Sequence, residues 1–325
     1  MSLPAQIEDR LRLPVFAAPM FIVSNPDLVI AQCTAGIVGS FPSLNARPAD
    51  QLAVWLERIT RELREWDAAH PDQPAAPFAV NLIVHKSNDR LQHDLELCVK
   101  YRVPIVITSL GARPEVNAAV HGYGGIVMHD VINQRFAHKA IEKGADGLIA
   151  VCAGAGGHAG TLSPFAMIQE TREWFDGPLA LSGCIAHGGA VLAARAMGAD
   201  VAYIGTPFIA TDEANAVEAY KQDIIDSVAE EIVYTDYFSG VYGNYLARSV
   251  ARAGYDPANL PEAGGDKMDF GANSEGTGAQ GAKAWRDIWS GGQGVGAIKR
   301  VQPAAEYVAQ LREEYAAAVA KICSG

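Results

Sequence analysis

The chain has 325 residues, of which 49% are hydrophobic and 19% charged, enough apolar side chain for one large core and too much for a disordered chain. The formal net charge of −11 repels phosphate backbones, and no Lys/Arg run offsets it, so nucleic acid is excluded as the main partner. No run of about 18 apolar residues free of charge and repeated glycine occurs, which excludes a membrane span. The opening residues lack the apolar centre of a signal peptide. Five singly spaced cysteines, with no C-x-x-C pair, suit reduced thiols in a cytoplasm better than disulfides or zinc.

In chain order, apolar runs predict strands at 15–18, 36–41, 78–84, 104–110, 125–131, 147–153, 179–185 and 201–208. Their unbroken hydrophobicity fits strands buried on both faces of a parallel sheet. Helical patterns lie between them. The segment 25–35 opens on Asn25-Pro26, a cap followed by a first-turn proline. The segment 49–69 is long and amphipathic. The segments 134–143 and 190–197 end at Gly144 and Gly198. Eight such units in series predict a (β/α)8 TIM barrel, with a doubly wound sheet as the alternative, and place chemistry on the loops that follow the strands.

After about residue 211 the rhythm changes. Residues 212–295 are aromatic, glycine-rich and polar, and predict an added helical and loop lobe that covers the barrel mouth. Its five aromatics between Tyr234 and Tyr245 argue against a plain linker. An amphipathic helix at 302–323 returns to the barrel, so 1–211 and 296–325 form the barrel domain.

The ends of the predicted strands supply the candidate site. Gly183 and Cys184 after the seventh strand, with Gly205 and Thr206 after the eighth, allow backbone N–H groups to approach phosphate oxygens, although small residues there also serve close packing. His158 stands in the glycine-rich run CAGAGGHAG after the sixth strand, where a neutral imidazole can exchange a proton near physiological pH. His129 and Asp130 end the fifth strand and are expected to face the mouth. Asn81, inside the third strand, needs a partner for its amide: backbone or a polar ligand. Ala18, Pro19 and Met20 end the first strand, as a turn with a core methionine or as a soft apolar contact for a flat ring. Cys152 and Cys184 have no basic neighbour, so no thiolate nucleophile is expected.

These pieces resemble the nitronate monooxygenase family of FMN-dependent TIM-barrel oxidoreductases, formerly called 2-nitropropane dioxygenases. The segments that carry the resemblance, in family order, are AAPM at 17–20, AGIVGS at 35–40, FAVNL at 78–82, AGGHAG at 155–160, SGCI at 182–185, YIGT at 203–206 and DIWSGGQGVG at 287–296. The resemblance implies non-covalent FMN at the barrel mouth, with His158 as the catalytic histidine. It implies flavin contacts from Met20 and Asn81, and ribityl and phosphate contacts from Gly156, Gly183, Gly205 and Thr206. The expected cofactor contacts also take in the neighbouring Ala18, Pro19, Ser182 and Cys184, His129, which by its place at a strand end meets either a cofactor ring or Asp130, and Gln293 in the Gly-Gly-Gln-Gly run at 291–294, and no metal is expected. The chain departs from the family pattern at Cys184, where a second glycine is common, and at Asp130, where quinone-reductase relatives carry lysine. Val151 and Gly154 likewise stand where monooxygenase relatives often have Gln and Glu.

The activity so implied is oxidation of an alkyl nitronate by FMN and O2 to a carbonyl compound and nitrite. The alternative is NAD(P)H-dependent reduction of quinones or enoyl thioesters on the same flavin, and a third reading is a flavin-binding sensor or storage protein without turnover. The expected partners are a small nitronate or nitroalkane and O2, with a homo-oligomer left open.

Overall fold

The computed structural model describes residues 3–262 and 287–324. The run FGANSEGTGAQG at 270–281, assigned above to the lobe, lies outside the described residues.

Eight parallel strands form the barrel: β1 Val15–Ala17, β2 Gly39–Pro42, β3 Phe78–Ile83, β4 Ile105–Ser109, β5 Ile126–Val131, β6 Gly147–Val151, β8 Leu179–Ser182 and β9 Val201–Ile204. A further short strand, β7 Gly157–His158, follows β6. The sheet runs β1-β9-β8-β6-β5-β4-β3-β2, and a parallel bridge between Phe16 and Val38 joins its two ends into a ring. The order is that of the chain, as expected when each strand is carried to its neighbour by a right-handed crossover.

Period-two alternation divides the strand residues between two cores. Phe16, Val38, Ile105, Ile107, Met128, Ile149, Val201 and Tyr203 point inward and fill the barrel, with Leu3 and Ile7 plugging one end. The alternate set, including Val15, Val80, Val106, Val127, Leu148 and Leu181, packs outward against helices. This two-sided burial is why the strands read as continuous apolar runs. A fully buried ring such as Phe16 contributes about 2–3 kcal/mol by leaving water.

The wall helices are α2 Pro26–Thr34, α3 Gln51–Ala69, α4 Leu91–Lys100, α5 Pro114–His121, α6 Gln134–Glu142, α7 Pro164–Arg172 and α8 Gly188–Met197, preceded in the chain by α1 Ala5–Glu8. Asn25 caps α2 by accepting from the Leu28 N–H at 2.8 Å, with Pro26 in the first turn. Gly198, left-handed at φ +114°, ends α8.

The chain then leaves the wall. It passes through α9 Thr206–Ile209, α10 Glu218–Asp226, β10 Ile232–Thr235, β11 Gly243–Leu246 and α11 Ala247–Arg252. It returns as α12 Ala304–Cys323, which packs beside α8 and α2 and so takes the place of an eighth wall helix. Its Tyr307 donates to the Ala186 carbonyl at 3.2 Å, and its Glu314 accepts from the Gly188 N–H at 2.7 Å. The excursion has a small core of its own, built from Phe238, Tyr245, Val250 and Ile288. Its strands β10 and β11 pair with β7 of the loop after β6 in a three-stranded antiparallel sheet, β10-β11-β7, where the sequence suggested only helices and loops. Among the described residues, no helix is long and apolar enough to cross a membrane.

Candidate active site

Inward-facing residues at the C-terminal ends of the barrel strands are polar where the interior below them is apolar. Asn81 Nδ2 donates to Ser109 Oγ at 2.8 Å and to the Ile107 carbonyl at 3.1 Å, and Ser109 Oγ donates to Asp130 Oδ2 at 2.5 Å. Asn81 thus meets its need inside the barrel wall and anchors a chain that ends on a carboxylate. Asp130 Oδ1 and the Tyr203 hydroxyl are buried without a hydrogen-bond partner. Burial pushes Asp130 up to about 6, the Ser109 bond opposing the shift.

His129 does not join this chain. Adjacent residues of a strand point to opposite faces, so with Met128 and Asp130 inward His129 turns outward, toward the helical layer. There its Nδ1 lies 2.6 Å from Thr108 Oγ1, its register neighbour on β4, and burial pushes it down to about 4. The expectation that His129 and Asp130 both face the mouth is therefore corrected by strand parity.

The loops after β6, β8 and β9 converge. Gly183 at φ +143° and Cys184 at φ +59° stop β8 at Ser182, short of the predicted end at 185. A Cβ on Gly183 would stand 3.0 Å from the Ala153 carbonyl, so the turn needs glycine on both counts. Thr206-Pro207 opens a helical turn, which ends β9 at Ile204 rather than 208. Gly205 lies against the end of β1, where a Cβ on it would sit 3.3 Å from Ala18 Cβ and 3.6 Å from Met20 Sδ. Ala18, Pro19 and Met20 are half-buried there.

The run 291–294 closes on the same loops. The Gly292 N–H donates to Thr206 Oγ1 at 2.9 Å and the Gln293 N–H to the Gly154 carbonyl at 2.9 Å. The Gln293 side chain comes within 3.8 Å of Cys184 Sγ. A Cβ on Gly156 would stand 2.9 Å from both the Gly292 nitrogen and Thr206 Oγ1. Gly156, Cys184 and Gln293 remain exposed at this meeting point. Because Thr206 Oγ1 accepts from the chain, its own hydrogen is left to donate. Burial raises the Cys184 thiol and pushes Cys152 up to about 12, so neither is a thiolate.

His158 is held from the other side. Its strand β7 pairs with β11, Gly243 opposite His158 and Asn244 opposite Gly157. Asn244 Nδ2 donates to the Ala155 carbonyl at 2.6 Å, and the Tyr234 hydroxyl to the Ala159 carbonyl at 2.8 Å. Nε2 of His158 lies 3.1 Å from Ser239 Oγ, and burial pushes the imidazole down to about 4. Sequence reasoning missed Ser239, Asn244 and Tyr203. Tyr203 opens the segment YIGT but was not singled out, Ser239 and Asn244 sit in no motif, and only the density of aromatics around Ser239 hinted at a packed segment.

These residues fit a flat cofactor with a phosphate tail. The glycine turns offer backbone close to a ligand, Ala18 and Met20 offer an apolar edge, and Asp130 Oδ1 and the Tyr203 hydroxyl are polar atoms still wanting partners. Two surface clefts, one lined by Asp27, Arg58 and Glu213 and one by Lys299, Arg300 and Glu306, touch none of the residues of this convergence. Among the described residues no cluster of His, Cys, Asp and Glu could hold a metal.

A family profile described as nitronate monooxygenase matches residues 78–314. A nitronate monooxygenase of Paraburkholderia phytofirmans is 28% identical over an alignment covering 93% of this chain and 92% of that one. Among solved structures, nitroalkane oxidase from Streptomyces ansochromogenes superposes with a TM-score of 0.77 at 24% identity, covering 98% of this chain and 99% of its own. FabK from Thermotoga maritima gives 0.76 at 20% identity, covering 98% and 97%. At these identities the structural likeness is one of fold.

Proposed function

The chain belongs to the nitronate monooxygenase family of oxidoreductases, and on that premise we propose that it binds FMN at the barrel mouth and oxidises alkyl nitronates with O2 to carbonyl compounds and nitrite. The observation that carries the reading is the convergence of the glycine loop that carries His158, at Gly154 and Gly156, with the turns at Gly183–Cys184 and Gly205–Thr206 that follow barrel strands and with the run Gly291–Gly294 that closes on them. Ser182, Gly183, Cys184, Gly205 and Thr206 would hold the phosphate and ribityl portion. Ala18, Pro19, Met20, Asn81, Gly156 and Gln293 would line the remainder. The described part of the lobe, residues 212–262 and 287–295, would cover the mouth. Bound FMN supplies the two-electron acceptor and the route to O2.

The chain's own part is binding, proton transfer and exclusion of water. His158 is neutral at pH 7, because burial favours its uncharged form. It therefore acts on a neutral nitroalkane as a base and does not hold a nitronate by charge. The strand β11 pairs with the loop that carries it, and β10 pairs in turn with β11.

Aerobic incubation with an alkyl nitronate tests the reading. Nitrite and carbonyl product should appear with O2 consumption and without NADH or NADPH. Absence of nitrite, together with quinone- or enoyl-dependent consumption of NAD(P)H, would replace this reading with the reductase.

A further inference from the structure

The amide of Asn81 fixes the direction of the hydrogen-bond chain at the open end of the barrel interior. The Ile107 carbonyl only accepts, so the Asn81 atom 3.1 Å from it is the nitrogen, and that nitrogen also donates to Ser109 Oγ at 2.8 Å. Ser109 therefore receives on its oxygen and sends its one hydrogen to Asp130 Oδ2 at 2.5 Å. With Oδ2 so engaged as an acceptor, a proton bound by the carboxyl settles on Oδ1. Oδ1 and the Tyr203 hydroxyl are both buried without a partner, and Tyr203 is near enough for the Asp130 charge to raise it further.

Two observations place this carboxyl at the floor of the candidate site. Asp130 is the last inward residue of β5, two beyond Met128. It is also partly exposed, as are Ala18, Val151 and Ser182 at the ends of β1, β6 and β8, whereas Ile107, Met128 and Ile149 beneath them are fully buried. The opening these residues share is therefore at the C-terminal ends of the strands, where the glycine turns converge. The neighbouring strands face Asp130 with Ser109 from β4, Ile149 and Val151 from β6 and Tyr203 from β9, and no charged group contributes to its shift.

We propose that Asp130 is the proton-holding group at the floor of the flavin site: it is ionised beside the oxidised cofactor and takes up one proton when electrons from the substrate put negative charge above it. The proposal rests on FMN being bound at this mouth, as read above. In the uptake one O–H bond forms, on Oδ1, with a proton from solvent. Ser109 keeps its hydrogen, and Asp130 is neither oxidised nor reduced. The electrons come from the nitronate, and the proton leaves again when O2 removes them. By reciprocity, if reduction raises the proton affinity of Asp130, a proton on Asp130 makes the protein easier to reduce.

Two readouts test this without turnover, on FMN-loaded protein reduced chemically with dithionite. Reduced-minus-oxidised infrared spectra at pH 8 should show a protonated-carboxyl C=O band that shifts with 13C-aspartate and is missing in Asp130→Asn. Midpoint potentials read the same proton. The difference between Asp130→Asn and wild type should be constant below about pH 5 and widen above about pH 6, because asparagine has no proton to gain. At pH 8 the widening should reach about 10- to 100-fold in the reduction equilibrium, or about 30–60 mV for a two-electron couple, with the wild type harder to reduce. Ser109→Ala removes a bond that favours the charged form, so it should move the onset of widening to higher pH. No carboxyl band, a difference flat from pH 5 to 8, or an onset unmoved in Ser109→Ala overturns the proposal. If Asp130→Asn does not hold FMN, the labelled wild-type spectra still decide. A wild type that binds no FMN overturns both this proposal and the proposed function. With FMN bound, nitrite formed from nitronate without the infrared band removes the role of Asp130 alone, and the band without any nitrite contradicts the proposed function alone.

Discussion

The Asn244 side-chain amide donates to the Ala155 carbonyl at 2.6 Å, tying the excursion after the last barrel strand to the glycine loop that ends in His158. Both groups are buried, so the bond cannot be exchanged for one to water. Asn244→Ala should destabilise the protein by about 1–3 kcal/mol, the cost of a buried carbonyl left without its donor. It should also slow turnover by loosening residues 154–160. Urea unfolding followed with initial rates measures both. A variant unchanged in stability would show that the loop is held by its other contacts alone.

Cys184 holds φ +59°, a left-handed backbone that L side chains adopt at a cost of about 1–2 kcal/mol. Cys184→Gly should relieve most of that strain while keeping the backbone N–H proposed to face phosphate. The expected result is a stability gain of about 1 kcal/mol with FMN retained at full occupancy. Loss of FMN would mean that the thiol itself takes part in binding.

His158 carries its proton-accepting role in a form that burial has pushed down to about 4. A solvated histidine base loses activity as pH falls through about 6.5. Here the rate on a neutral nitroalkane should stay level through that range and fall only as pH approaches about 4. Nitronate binding should not change between pH 6 and 8, since no charge on His158 is lost there. His158→Ala should cut the nitroalkane rate by about 10²- to 10⁴-fold and leave FMN bound. A base limb near 6.5 in the pH–rate profile would place His158 in solvent and contradict the buried site.

Asp130 gives a stability signature of the opposite sign. Its folded value is raised to about 6 by burial, so the unfolded chain holds its proton less tightly. The native state is favoured most below the unfolded value near 3.8 and loses that advantage as pH rises through about 6. The stability of Asp130→Asn minus that of the wild type should therefore grow between about pH 4 and 6 and then level off. The total change should be on the order of 2–3 kcal/mol. A flat difference across that window would show that Asp130 is solvated in the free protein.

The barrel was legible because its strands are buried on both faces, which makes them apolar at consecutive positions, and because Asn25-Pro26 and Gly198 mark helix ends by local chemistry. Strand parity was not legible. Whether His129 or Asp130 faces the interior depends on which alternate set fills the barrel, and both sets are apolar in the residues before them. The sheet β10-β11-β7 escaped because four-residue and two-residue strands are too short to display alternation. Ser239 escaped for another reason. Its place beside His158 follows from tertiary pairing across 81 positions, which no local pattern encodes.

Anaerobic mixing of the FMN-loaded protein with propionate 3-nitronate, NADH and NADPH in separate experiments tests the central claim most directly. Bleaching of the flavin absorbance by the nitronate alone, with nitrite released on readmission of O2, is the predicted result. Rapid bleaching by NADH or NADPH with none by the nitronate would contradict it.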